Sequence, residues 1–293
     1  MVHLGDMLDL CDGRFHWKSY VDGLALQGYT WRARDATPQA ALVLAHGAGE
    51  HALRYARFAR ALSAEGIEVI AFDQRGHGRS PGPAGLGDPG EAGWNGLVGD
   101  LRQLVERTRD DHRNLPLALF GHSMGSLLAQ QLCQGHASLL DAVILSGSTA
   151  VARPGPGETL PANPPNAAFE PARTPYDWLS RDASEVDAYI ADPLCGIRPG
   201  IARLFSLEVL FGLSDPQELA RMRPDLPVLL VAGDADPLNR ELEALHLLEQ
   251  LWRKAGVRRI DTRYYSGGRH EMLNELNRDE VTRDIIQWLH TVL

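Results

Sequence analysis

The most constraining stretch of this chain is Phe120-Gly121-His122-Ser123-Met124-Gly125-Ser126, a serine between two glycines. Leu117-Ala118-Leu119-Phe120 before it has the unbroken apolar character of a strand buried on both faces, and 124–134 after it reads as helix. A serine at such a strand-to-helix junction needs a sharp turn, and the flanking glycines let backbone approach closely. The helix N-terminus also directs N–H groups at developing negative charge. Ser123 is therefore the candidate nucleophile.

The same rhythm runs through most of the chain. Strands are predicted at 41–45, 67–72, 142–145, 228–231 and 260–265, with helices near 55–62, 97–112, 239–254 and 279–292. Two short strands are expected within 20–34, around the Asp22-Gly23 turn. Strand–helix alternation of this kind requires right-handed crossovers and gives an α/β fold with a doubly wound, mostly parallel sheet. The alternation stops over 149–224, which separates a core of 1–148 and 225–293 from an inserted cap. Seven of the 18 prolines lie between Pro154 and Pro175, too many for regular structure. Helices then return near 184–191 and 201–211, the second carrying Ile201, Leu204, Phe205, Leu207, Val209, Leu210 and Phe211. The cap is expected to be a lid over an apolar pocket, with Leu204, Phe205 and Phe211 touching substrate.

A serine hydroxyl needs a base to take its proton. In a fold of this kind the acid and then the histidine follow the serine, each on a loop at the carboxyl end of a strand. Val231-Ala232-Gly233-Asp234-Ala235-Asp236-Pro237 offers two carboxylates; Asp236 is preferred, leaving Asp234 to organise the turn. Of eleven histidines, only His270 follows the last strand on a loop, in Gly267-Gly268-Arg269-His270-Glu271. Donors for an oxyanion are expected from the Met124 N–H and from Ala48 in His46-Gly47-Ala48-Gly49-Glu50.

Charge narrows the partners. Lys and Arg total 29 against 38 Asp and Glu, a formal charge of −9, which disfavours nucleic acid. Cys11, Cys133 and Cys195 form neither a zinc spacing nor a disulfide framework, pointing to a reducing, cytoplasmic setting. The acidic first residues do not look like a signal peptide, and no stretch is apolar enough to span a membrane. Transient membrane contact through the cap stays open.

His46-Gly47-Ala48-Gly49-Glu50-His51 with Arg54-Tyr55, Asp73-Gln74-Arg75-Gly76-His77-Gly78-Arg79-Ser80 and the serine motif together resemble the monoacylglycerol lipase/lysophospholipase branch of the α/β-hydrolases. Leu179-Ser180-Arg181-Asp182 and Ala191-Asp192-Pro193-Leu194 resemble its cap. The resemblance implies a serine ester hydrolase with Ser123, Asp236 and His270 as triad, Ala48 and Met124 as oxyanion donors, and Glu50 and Arg54 near the alcohol group. It implies no metal or organic cofactor, and a lipid-like ester as substrate. Two departures stand out: Ser126 replaces the glycine usual after the motif, and the Pro-rich approach to the cap is atypical. Lysophospholipase, small-ester carboxylesterase and same-fold peptidase or amidase readings remain; the last would need a cap carboxylate such as Glu158, Glu170, Glu185 or Glu208 for a substrate amine. A non-catalytic binding protein need not keep all three triad members. An epoxide hydrolase or dehalogenase would carry Asp in place of Ser123.

Overall fold

The computed structural model of the protein describes residues 10–34, 37–151, 164–202 and 204–293. Its centre is one eight-stranded sheet in the order β1-β2-β4-β3-β5-β6-β7-β8. The strands are β1 (Gly13–Lys18), β2 (Ala25–Trp31), β3 (Ala40–Ala45), β4 (Ile67–Phe72), β5 (Leu117–His122), β6 (Ala142–Ser146), β7 (Val228–Gly233) and β8 (Ile260–Tyr265). From β4 to β8 every pairing is parallel, whereas β2 runs antiparallel to both its neighbours. The central strands β3, β5, β6 and β7 are buried at every position. That burial is why they read as continuous apolar runs rather than alternating ones.

Helices α1 (Ala56–Ala64) and α9 (Arg278–Val292) cover one face of the sheet. The other face is covered by α2 (Gly93–Asp111), α3 (Met124–His136) and α8 (Glu243–Lys254). The segment expected to form the cap, called the cap below, lies between β6 and β7 and holds α4 (Ala183–Ala191), α5 (Pro199–Ala202), α6 (Leu207–Gly212) and α7 (Pro216–Leu219). Among the described residues, no helix is long and apolar enough to cross a membrane.

Several elements begin elsewhere than the sequence pattern suggests. The first hairpin strand is Gly13–Lys18, ahead of 20–34, and the turn at Asp22-Gly23 joins it to β2. α2 starts at Gly93 because its early glycines serve contact rather than helix breaking. A Cβ on Gly96 would lie 2.4 Å from the Arg75 guanidinium, and one on Gly99 would lie 2.6 Å from Val21. Arg75 is fully buried there, held by Asp100 at 2.7 Å and Asp22 at 2.7 Å. α8 starts at Glu243 because Arg240, Glu241 and Leu242 all have positive φ.

The apolar stretch at 201–211 is two helices, not one. Ser206 restarts the chain as an N-cap, its hydroxyl accepting from the Val209 N–H at 3.2 Å. Ile201 and Leu204 are buried in the core on the α3 face of the sheet. The Pro-rich residues 152–163, including Glu158, lie outside the described residues.

Candidate active site

Ser123 sits between β5 and α3 with φ 50° and ψ −118°. A non-glycine residue with positive φ is strained, and such strain persists only where surrounding structure enforces it. Here the enforcement is close packing. A Cβ on Gly121 would meet the Gly125 carbonyl oxygen at 2.4 Å, and one on Gly125 would meet that of Ala45 at 2.1 Å. The Ser123 N–H donates to Ser146 O at 2.9 Å, which ties the turn to β6.

Ser126 shows what its departure from glycine does. Its Oγ is 2.6 Å from Ser123 O and 2.7 Å from Ser148 Oγ. Donating to the first, it accepts from Ser148, whose oxygen in turn accepts from Gln130 Nε2 at 2.9 Å. The turn is thereby pinned from the side facing the start of the cap.

His270 is buried, with Nδ1 2.8 Å from Asp236 Oδ2. The other Asp236 oxygen accepts from the Leu238 N–H at 2.9 Å. Asp234 is differently employed: it accepts from the Gly267 N–H at 2.7 Å and braces the loop that carries His270. Burial alone would lower the His270 pKa, but the Asp236 charge and hydrogen bond, with Glu271 and Glu50 behind them, leave it raised. His122 packs against His270, ring centroids 4.8 Å apart, and burial pushes its pKa down to about 3, so it stays neutral.

The loop after β3 is anchored by His46, whose Nε2 accepts from the Gln74 N–H at 2.9 Å. Its Nδ1 therefore carries the proton and donates to Gly47 O at 2.7 Å. Gly47 N–H donates to Glu50 Oε1 at 2.5 Å. Ala48 is thereby turned toward a cavity of about 330 Å³ that Ser123, Met124 and His270 also line. Met124 is the first residue of α3, where N–H groups lack partners within the helix.

The remaining expected residues divide. Glu50 and Phe205 line the cavity; Arg54, Leu204 and Phe211 do not. Leu204 is absorbed into the core. Arg54 is locked in a buried ion-pair cluster, 2.7 Å from Glu50 Oε2 and paired to Glu271 through both carboxylate oxygens at 2.7 and 2.8 Å. Glu271, which the sequence pattern did not single out, lines the cavity beside His270. The remaining lining is chiefly apolar, including Leu127, Trp178, Ile197, Leu210 and Leu238.

The cap's first half is stitched to the histidine loop. Glu271 N–H donates to Leu179 O at 2.8 Å, and the Trp178 ring lies 4.9 Å from that of His270. Arg269 hydrogen-bonds the Asp177 carbonyl, and Arg181 pairs with Glu275 at 2.8 Å. Of the cap carboxylates, Glu170, Glu185 and Glu208 do not line the cavity. His51, Asp192 and Cys195 bring ligand atoms within 4.8 Å of one another, but none of them borders the cavity either.

A strained serine at a strand–helix junction, a buried His–Asp pair and a sheet of this order define an α/β-hydrolase. A family described as serine aminopeptidase, S33 (Hydrolase_4) matches residues 36–277, and the chain belongs to it. It is 34% identical to a monoacylglycerol lipase of Mycolicibacterium smegmatis, over 92% of this chain and 94% of that one. A monoglyceride lipase of Rattus norvegicus is 31% identical, over 92% and 87% respectively. The solved structure of a Bacillus coagulans carboxyl esterase in complex with glycerol superposes with a TM-score of 0.83 at 22% identity, covering 96% of this chain and 98% of that one.

Proposed function

We propose that the protein hydrolyses carboxylic esters of the monoacylglycerol type through an acyl-enzyme intermediate. Ser123 attacks the ester carbonyl as His270 removes its proton. Asp236 fixes the imidazole tautomer and stabilises the charged form, and the N–H groups of Ala48 and Met124 hold the oxyanion. His270 then gives its proton to the leaving alcohol and later activates water against the acyl-enzyme. Every step uses this chain's own groups.

The observation that carries the reading is the cavity itself, where Ser123 and His270 open onto a chiefly apolar space partly roofed by Phe205 and Leu210 of the cap. Kinship to monoacylglycerol lipases along most of the chain supports the same substrate class. The free cysteines are in keeping with a cytoplasmic protein, and the cap is read as its lid. The peptidase reading calls for a cap carboxylate free to hold a substrate amine; Glu170, Glu185 and Glu208 do not border the cavity, and Glu50 and Glu271, which do, lie outside the cap and are paired with Arg54.

The test is release of glycerol and fatty acid from 1-monoacylglycerols, set beside release of amine from aminoacyl amides. Ester turnover well above amide turnover is expected. Amide turnover equal to or above ester turnover would overturn the reading.

A further inference from the structure

The charged groups bordering the cavity are unbalanced. Among the described residues, Glu50 and Glu271 line it, and no Lys or Arg does. Arg54 joins the two carboxylates from behind, so two negative charges share one positive charge. Each contact fits an ionised acid. Glu50 accepts from the Gly47 N–H, from Tyr55 Oη at 2.6 Å and from Arg54. Glu271 accepts from both Arg54 nitrogens and from Asn274 Nδ2 at 2.9 Å. Although burial opposes ionisation, Arg54 holds the Glu271 carboxyl well below the usual carboxylate range.

Other cations are engaged elsewhere. Arg57 pairs with Glu185 and bonds Asn274, Arg181 pairs with Glu275, and Arg269 bonds cap carbonyls. Asp236 adds a further negative charge behind His270, and His122 is neutral. Both acids lie close to the reacting groups: a Cβ on Gly47 would be 2.7 Å from Glu50 Oε1 and 3.2 Å from Ser123 Cβ, and Glu271 follows His270 directly in the chain and borders the same cavity. Substrate groups near Ser123 thus meet a fixed negative field beside a chiefly apolar lining, where charge interactions are stronger than in bulk water.

We propose that the Glu50–Arg54–Glu271 cluster is a charge filter, with Glu271 as its specificity-determining residue, which rejects esters whose alcohol carries a phosphate or other anion and admits neutral ones. The proposal rests on the ester-hydrolase reading above and deepens it. Glu271 supplies the excess charge, because Glu50 and Arg54 alone would balance.

The test compares 1-octanoylglycerol with 1-octanoylglycerol 3-phosphate. In the wild type, kcat/KM for the neutral ester should exceed that for the phosphate by about 100-fold or more. Glu271→Gln should narrow this ratio by about 10-fold or more, mainly by raising activity on the phosphate. An unchanged ratio, with both activities falling together, assigns Glu271 a structural role only and overturns the proposal. A second measurement needs neither the variant nor catalysis: binding of the ether analogues 1-O-octylglycerol and its 3-phosphate to the wild-type protein. Tighter binding of the neutral ether supports the filter even if no ester is turned over, an outcome that would sink the hydrolase reading alone. Equal binding, tighter binding of the phosphate, or binding of neither would overturn the filter.

Discussion

At the scale of single residues, Asp234 and Asp236 stand two positions apart at the end of the same strand and do different work. Asp236 meets His270 Nδ1, whereas Asp234 braces the Gly267 turn. Asp236→Asn should lower kcat roughly 100-fold more than Asp234→Asn, since only the first deprives the imidazole of its charged partner. Comparable losses in steady-state assays would remove Asp236 from the proposed triad. The proton balance of His270 gives a second prediction. The base must be neutral, and its pKa is raised in the folded protein, so kcat/KM should increase through a limb above about pH 6.5, the ordinary histidine value. A limb below pH 6 would contradict the charge environment described. The serine, acid and base candidates were legible because motif and chain order constrain them. Glu271 was not, because its Arg54 partner lies 217 residues away and only the fold brings them together.

At the scale of elements, the carboxyl ends of β3, β4 and β5 and the turns that follow them bury three histidines, His46, His77 and His122, whose protonation the fold resists. Burial takes His122 down to about 3 and His77 to about 4, and holds His46 well below its ordinary value. The unfolded chain protonates all three near pH 6.5, the folded one only at much lower pH. Their stabilising effect is therefore full above that value and lost as pH falls, at about 1.4 kcal/mol per pH unit for each. His270 runs the other way: its raised pKa adds stability as pH falls toward about 6.5 and a constant amount below that, so it leaves the slope at lower pH unchanged. Urea unfolding at pH 7, 6 and 5 should show the midpoint falling steeply; a constant midpoint would contradict the neutral burial of these rings.

The cap offers the complementary test at the same scale. Its apolar stretch was legible as composition, but not as two helices, because the Ser206 N-cap works through a local hydrogen bond that a periodicity count passes over. Phe205 alone of the three expected aromatic and aliphatic contacts borders the cavity. Each acyl methylene buried there should contribute up to about 0.8 kcal/mol, so kcat/KM should climb with chain length until the cavity is full. Phe205→Ser should flatten that climb while sparing acetate esters. An unchanged slope in a variant with unaltered melting temperature would remove Phe205 from the acyl site.

At the scale of the whole molecule, strands that cross a sheet covered on both faces must be apolar throughout, so the core announced itself in the sequence. What stayed hidden was the joint between cap and core. Besides the apolar packing of Ile201 and Leu204, it includes main-chain and charged contacts such as Leu179 to Glu271 and Arg181 to Glu275, which leave no periodic trace. The proposed chemistry turns on one strained serine, Ser123, between β5 and α3. The most direct measurement is therefore peptide mapping by mass spectrometry after reaction with a fluorophosphonate, on the wild type and on Ser123→Ala. One adduct per chain on the peptide containing Ser123, with loss of ester hydrolysis, is expected, and no adduct in the variant. Absence of labelling in the folded wild type, or an adduct that persists in Ser123→Ala, would contradict the account.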